Sequence, residues 1–159
     1  MTMKKVGILY HPMIDTAYTL AKELQEFLNS SGASVWLCSA WEMEKARAQV
    51  GNTDLILTTG GDGTILRAAH LALSDQIPIT GVNLGKLGFM TELGVDEAVD
   101  KLPALLTGDG WVDERVMLEA ELSSADQEPE LSRTFCALND VVVARGAIAR
   151  IVHLEASID

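Results

Sequence analysis

The chain has 159 residues, of which 48% are hydrophobic, and a formal net charge of −11. This length accommodates one domain, or one domain and part of a second, and the apolar fraction is enough for a core. The acidic balance disfavours nonspecific binding to nucleic acid or to an anionic membrane, and no segment is long and apolar enough to span a bilayer. Cys38 and Cys136 lie in apolar, strand-like stretches. We expect them to be reduced core thiols, which is typical of a cytoplasmic protein.

The N-terminal part of the chain alternates predicted strands with predicted helices. Short apolar runs predict strands at residues 6–10, 34–38, 55–58 and 77–82. Apolar residues at helical spacing predict helices at residues 16–29, 42–50, 65–73 and 95–106. Continuous apolar strands separated by helices indicate a parallel sheet that is covered on both faces. The predicted fold class is therefore α/β, with a Rossmann-like N-terminal domain.

A glycine-rich loop follows the third predicted strand, where residues 59–64 read Thr-Gly-Gly-Asp-Gly-Thr. Glycine lets the backbone approach a ligand closely, and the N-terminus of the next helix favours an anion. A carboxylate beside an anion site is repelled unless a cation intervenes or a proton has to be taken. The pattern therefore predicts a phosphate cradle with Asp62 as a catalytic or metal-linked group. The alternative is a plain turn in which Asp62 or Thr64 caps the helix.

The pattern changes after residue 110. Residues 116–122, 135–144 and 151–158 are predicted strands with no helix between them, which suggests the start of an all-β, antiparallel sandwich domain. We therefore expect an α/β domain at residues 1–110 and the first strands of a β domain at 111–159. Three strands with a long polar loop make a poor core by themselves, so we expect a truncated piece of a longer protein.

Three local sequences together resemble the bacterial NAD kinases, which phosphorylate the 2′-hydroxyl of the adenosine ribose of NAD. They are Gly-Gly-Asp-Gly-Thr at 60–64, Asn-Leu-Gly-Lys-Leu-Gly-Phe-Met-Thr at 83–91 and Leu-Asn-Asp-Val-Val-Val at 138–143. The first is shared with diacylglycerol and sphingosine kinases and, more loosely, with phosphofructokinases. The second makes the resemblance specific, and the Pro-x-Gly-Thr-x-Asn-Asp segment expected of the lipid kinases is absent from the sequence.

The resemblance implies a role for each residue of the glycine loop. Asp62 would act as general base toward the ribose 2′-hydroxyl, or hold it in a strong hydrogen bond. Gly60, Gly61, Gly63 and Thr64 would present backbone and hydroxyl donors to nucleotide phosphates. ATP would be the phosphoryl donor, with inorganic polyphosphate as an alternative, and Mg²⁺ or another divalent metal would neutralise charge.

Five further residues are candidates for substrate or nucleotide binding through the same resemblance. Arg67 can reach a phosphate, Phe89 would lie near the adenine, and Arg150 would face the substrate. Asn139 and Asp140 would bind the vicinal hydroxyls of a ribose. Each residue has an ordinary structural alternative. Arg67 can be a solvated helix residue, Phe89 a core aromatic and Arg150 a strand-surface charge. Asn139 and Asp140 can simply form a turn or a strand end.

The family also has a Gly-Ser-Thr-rich motif that would fall beyond residue 159. We therefore expect this piece to be inactive or very weak alone. The resemblance also implies that the full-length protein is a homo-oligomer that binds NAD and ATP. We expect it to bind neither nucleic acid nor membrane. His11, His70 and His153 have no ligand spacing, so no metal ligands are assigned. A diacylglycerol-type lipid kinase and a non-catalytic nucleotide-binding module remain the alternatives, the former disfavoured by the acidic charge.

Overall fold

The computed structural model describes residues 3–85, 88, 90, 93–122, 133–143 and 155–158. The chain divides into two compact units, Met1–Arg115 and Val116–Asp159. The predicted domain boundary lies five residues before this division and stays a prediction. Within the described ranges, none of the helices has the length and apolar character needed to cross a membrane.

The first unit alternates strands and helices along the chain. Its described strands are β1 (Lys5–Tyr10), β2 (Ser34–Ser39), β3 (Leu55–Gly60), β4 (Ile79–Asn83) and β5 (Leu93–Gly94). Its described helices are α1 (Asp15–Ser30), α2 (Met43–Val50), α3 (Asp62–Ala72) and α4 (Val95–Thr107). The strands form one parallel sheet in the order β2-β1-β3-β4-β5, which confirms the predicted α/β, Rossmann-like class.

Both faces of the sheet are covered, which explains why the strands are continuously apolar. Successive residues of a strand point to opposite faces, so Leu55 and Leu57 belong to one core cluster and Ile56 to the other. The first cluster includes residues of α1 and α4, and the second includes residues of α2 and α3. The helices therefore lie two on each face.

Two local features differ from the sequence-based expectation. α3 begins at Asp62 and not near residue 65, because Gly61 is an extended N-cap and its carbonyl accepts a hydrogen bond from the Thr64 N–H at 2.9 Å. β5 was not predicted, since a strand of two residues has no readable periodicity. The end of α4 agrees with expectation, because Gly108 takes the left-handed conformation (φ 80°) that glycine tolerates best.

The second unit contains an antiparallel pair, β6 (Leu118–Leu122) and β7 (Arg133–Ala137). This small sheet agrees with the predicted start of a β domain. The strand predicted at 135–144 ends earlier, at Ala137, and the side-chain hydrogen bond between Asn139 and Asp140 just beyond it satisfies those groups locally. Of the strand predicted at 151–158, residues 155–158 are irregular and the remainder lies outside the described residues.

Candidate functional site

The loops that follow β1, β3 and β4 meet at the carboxyl edge of the parallel sheet. The His11 N–H donates to the Thr59 carbonyl at 3.0 Å, and the Leu84 N–H donates to the Gly60 carbonyl at 3.3 Å. The chain leaves β1 through α1 on one face and leaves β3 through α3 on the other, so the strand order reverses between these two strands. In open α/β sheets, ligands bind in the crevice outside the strands at such a point.

Gly60 is required by the packing of the glycine loop. It is the last residue of β3, and a Cβ added there would overlap the Thr64 hydroxyl and lie 3.2 Å from the Cβ of His11. Gly61 and Gly63 are different, because an added Cβ would have no described heavy atom within 4 Å and neither residue has a positive φ. Because glycine has no side chain, the backbone at the start of α3 is uncovered at these two positions, and this part of the helix is called its bare entrance below.

Asp62 is the first residue of α3, and its carboxylate is packed against the chain that follows β4. The Met90 N–H donates to its Oδ1 at 3.2 Å. A Cβ added to Gly88 would lie 2.6 Å from Asp62 Cγ and Oδ2 and closer still to Oδ1, so the backbone of Gly88 approaches the carboxylate more closely than any side chain would permit. The carboxylate is half-buried and is held from two directions.

Buried hydroxyl groups lie beneath the loop. Thr59 is fully buried and its Oγ1 donates to the Ala17 carbonyl at 2.9 Å, which ties β3 to α1. The hydroxyl oxygens of Thr58 and Thr64 are also buried, and neither has a hydrogen-bond partner among the described residues. Thr64 is 1% exposed and is the third residue of α3.

Arg67 and Trp41 stand at the rim of the same edge. Arg67 is exposed, and its guanidinium carbon lies 6.0 Å from the centroid of the Trp41 ring. Trp41 was not singled out from the sequence, because a lone tryptophan two residues beyond a strand has no pattern that distinguishes it from a core aromatic. Trp41 is 53% exposed, and this exposure, which is known only from the structure, distinguishes it from a core aromatic.

The remaining predicted residues belong to the second unit or lie outside the described residues. Asn139 and Asp140 are exposed in the second unit, where Asn139 Nδ2 donates to Asp140 Oδ2 at 2.6 Å. Phe89 and Arg150 lie outside the described residues. In the part of the chain that the structure describes, no three His, Cys, Asp or Glu side chains are grouped as metal ligands.

Electrostatics argue against thiol chemistry near β2. Cys38 and Cys136 are both free; Cys38 is buried and Cys136 is half-buried. Burial, and then the charge of Glu42, raise the pKa of the Cys38 thiol, so it stays protonated at neutral pH. The same two causes raise the pKa of the Tyr10 phenol. Neither group is therefore deprotonated at neutral pH.

A sequence profile for the ATP-NAD kinase N-terminal domain matches residues 6–110. The chain therefore belongs to the ATP-NAD kinase family. An NAD kinase of Dehalococcoides mccartyi is 51% identical over 156 residues, which are 98% of this chain and 54% of that protein. An NAD kinase of Chloroflexus aurantiacus is 37% identical over 157 residues, or 99% and 56% of the two chains. The chain thus spans about half the length of the curated relatives it matches.

The fold has a solved counterpart. Yeast NADH kinase, in a crystal structure complexed with NADH, superposes with a TM-score of 0.70 over 87% of this chain and 48% of that one. The two sequences are 21% identical, so this likeness shows the fold alone.

Proposed function

We propose that the protein to which this chain contributes is an NAD kinase, which transfers the γ-phosphoryl group of ATP to the adenosine-ribose 2′-hydroxyl of NAD. The observation that supports this most is the placement of Asp62. In a chain of the ATP-NAD kinase family, its carboxylate lies at the N-terminus of α3 and is held by the Met90 N–H and the backbone of Gly88. A carboxylate fixed beside an anion-favouring helix end is suited to proton abstraction next to a phosphate.

In the proposed reaction, Asp62 accepts the proton of the 2′-hydroxyl as that oxygen attacks the γ-phosphorus. The bond between the γ-phosphorus and the β–γ bridging oxygen breaks, ADP leaves with the electron pair, and the new phosphate ester remains on the ribose. Such transfers depend mainly on positioning and charge neutralisation, so the chain's contribution is to hold the reacting groups in line.

The phosphates would lie on the bare entrance of α3. The open space around Gly61 and Gly63 supports close approach of a ligand to backbone N–H groups. The Thr64 hydroxyl is buried beneath the loop, so its role as a phosphate donor is a proposal from the resemblance alone. Gly60 closes the loop beneath them, and Arg67 would bind a phosphate from the exposed side of the helix.

One carboxylate beside a phosphate cradle fits Mg²⁺, or another divalent metal, that arrives with the nucleotide, because Mg²⁺ is usually bound by one or two carboxylates together with substrate phosphates. Bound there, the metal would neutralise the charge of the transferring phosphoryl group. Among the described residues of the glycine loop, Asp62 has the carboxylate that could contact such a metal.

The other assignments follow from the resemblance and stay proposals. Phe89 would pack on the adenine, Asn139 and Asp140 would bind ribose hydroxyls, and Arg150 would face the substrate. We propose NAD and ATP as partners, a homo-oligomeric full-length protein and a cytoplasmic location, the last supported by two free cysteines.

A chimaera provides a direct test of the proposed activity. These 159 residues would be followed by the part of the D. mccartyi NAD kinase that lies beyond the aligned region. With NAD, ATP and Mg²⁺ we expect NADP from the chimaera and little or none from the chain alone. Phosphorylation of diacylglycerol without NADP formation would favour the lipid-kinase alternative. ATP binding with neither product, from folded protein, would favour a binding module.

A further inference from the structure

The crevice at the strand-order reversal has a second group of side chains, apart from the Asp62 carboxylate. His11 follows β1, Trp41 follows β2 and Arg67 lies on α3, so three elements converge there. The turn after β2 is anchored to β1, because the Ala40 N–H donates to the Tyr10 carbonyl at 2.9 Å. This group, here called the aromatic rim, occupies the position where open α/β sheets bind ligands.

The Trp41 ring is near both other members of the rim. Its ring centroid is 6.0 Å from that of His11, with the planes at 63°, and 6.0 Å from the guanidinium carbon of Arg67. The indole is 53% exposed, in contrast to Trp36, which is 7% exposed in the core. A side chain this exposed contributes little to the core, and its ring is accessible to a planar ligand.

The other two members, His11 and Arg67, can both donate hydrogen bonds. His11 Nδ1 accepts the Met13 N–H at 3.2 Å, which places the proton of the neutral ring on Nε2 and makes that nitrogen a donor. Arg67 is one turn beyond Gly63 on the exposed side of α3. Because helical side chains lean toward the N-terminus, Arg67 covers the turn that begins at Gly63, next to the bare helix entrance.

We infer that the aromatic rim is the binding subsite of the phosphoryl donor, in which Trp41 stacks on a purine base while Arg67 and His11 bind its phosphates. An indole face binds any purine by stacking, and Arg is suited to phosphate. Because a base contact helps only a donor that has a base, the rim selects a purine nucleoside triphosphate over inorganic polyphosphate. This role as donor subsite rests on the proposed function.

The test uses calorimetric titration of this 159-residue chain with MgATP and with magnesium tripolyphosphate. Trp41→Ala should raise the Kd of MgATP by about tenfold or more and leave that of tripolyphosphate unchanged. Arg67→Gln should weaken both ligands. Trp111→Ala removes a tryptophan that is 82% exposed outside the rim, and Lys101→Gln removes a positive charge from α4; both controls should bind MgATP like the unaltered chain.

Tryptophan fluorescence provides a second readout that a purely structural role would not change. MgATP should quench the emission of the unaltered chain and of Trp111→Ala, while tripolyphosphate should not. Equal binding of MgATP by Trp41→Ala and the unaltered chain would overturn the inference. An equal loss of affinity of Trp41→Ala for MgATP and for tripolyphosphate would also overturn it.

Kinetics of the chimaera separate this inference from the proposed function. Trp41→Ala should raise the KM for ATP and leave the KM for NAD unchanged. If Trp41→Ala forms NADP with an unchanged KM for ATP, the rim is not the donor subsite, but the proposed kinase activity is unaffected. If MgATP binding depends on Trp41 in a protein that makes no NADP, the proposed kinase activity is wrong and the rim is still a nucleotide site.

Discussion

Gly88→Ala tests whether catalysis depends on the close approach of the backbone to Asp62. The new methyl carbon would lie 2.6 Å from Cγ and Oδ2 of the carboxylate, whereas ordinary contacts begin near 3.4 Å. The carboxylate would therefore have to move by roughly 1 Å, and a displacement of that size costs on the order of a hundredfold in rate when reacting groups must be aligned. We expect the chimaera to lose about a hundredfold in kcat for NADP formation, measured by an NADP-specific coupled assay.

The matched control lies in the same loop. At Gly85 an added Cβ would have no described heavy atom within 4 Å, and the backbone N–H that donates to Asn83 Oδ1 at 3.0 Å is retained in an alanine variant. Gly85→Ala should therefore keep kcat within about twofold of the unaltered chimaera. The reasoning is refuted if Gly88→Ala keeps a third or more of the rate, or if both variants lose activity equally. Circular dichroism verifies that each is folded.

Three further predictions concern stability, measured by urea unfolding. Gly7→Ala would place a methyl group 2.7 Å from one ring atom of buried Trp36 and nearer to two others. It should therefore lower the free energy of unfolding by about 1–3 kcal/mol. An unchanged midpoint of urea unfolding would contradict this packing. Thr59→Val removes the donor to a carbonyl of α1 and should lower the free energy of unfolding by about 1 kcal/mol. Thr58→Val should be neutral or stabilising, because the Thr58 hydroxyl has no hydrogen-bond partner among the described residues. Two backbone N–H groups at the start of β1 lower the pKa of Asp54, so its contribution is present at neutral pH and is lost as pH falls below about 4 through the folded-state pKa. Asp54→Asn should therefore be less stable than the parent at pH 7, and the difference should shrink in acid; a constant difference would contradict the linkage.

Much of the sheet could be predicted because strands covered on both faces leave a strong signal. The apolar run at 55–57 and the glycines after it mark β3 and its loop, whichever tertiary contacts follow. The start of α3 could not be predicted as well, since it depends on the extended conformation of Gly61 and its bond to Thr64. Glycine and aspartate have weak helix propensity, which favoured a later start.

The candidate site was predictable only in its local part. The glycine loop and Asp62 are contiguous in sequence, so their pattern is readable. The approach of Gly88 to Asp62 joins positions 26 residues apart, and the contacts of Trp41 with His11 and Arg67 depend on which loops the sheet brings together. No periodicity in a single sequence encodes such contacts.

The most direct test of the central claim is NADP formation by the chimaera carrying Asp62→Asn, compared with Asp75→Asn. The second change removes the same charge from an exposed aspartate beyond the far end of α3. A positioned general base contributes typically 10²–10⁴-fold, so we predict a loss of at least about a hundredfold for Asp62→Asn with dinucleotide binding largely retained, and an unaltered rate for Asp75→Asn. NADP formation by Asp62→Asn at the rate of the unaltered chimaera would contradict the assignment of Asp62 as the catalytic base.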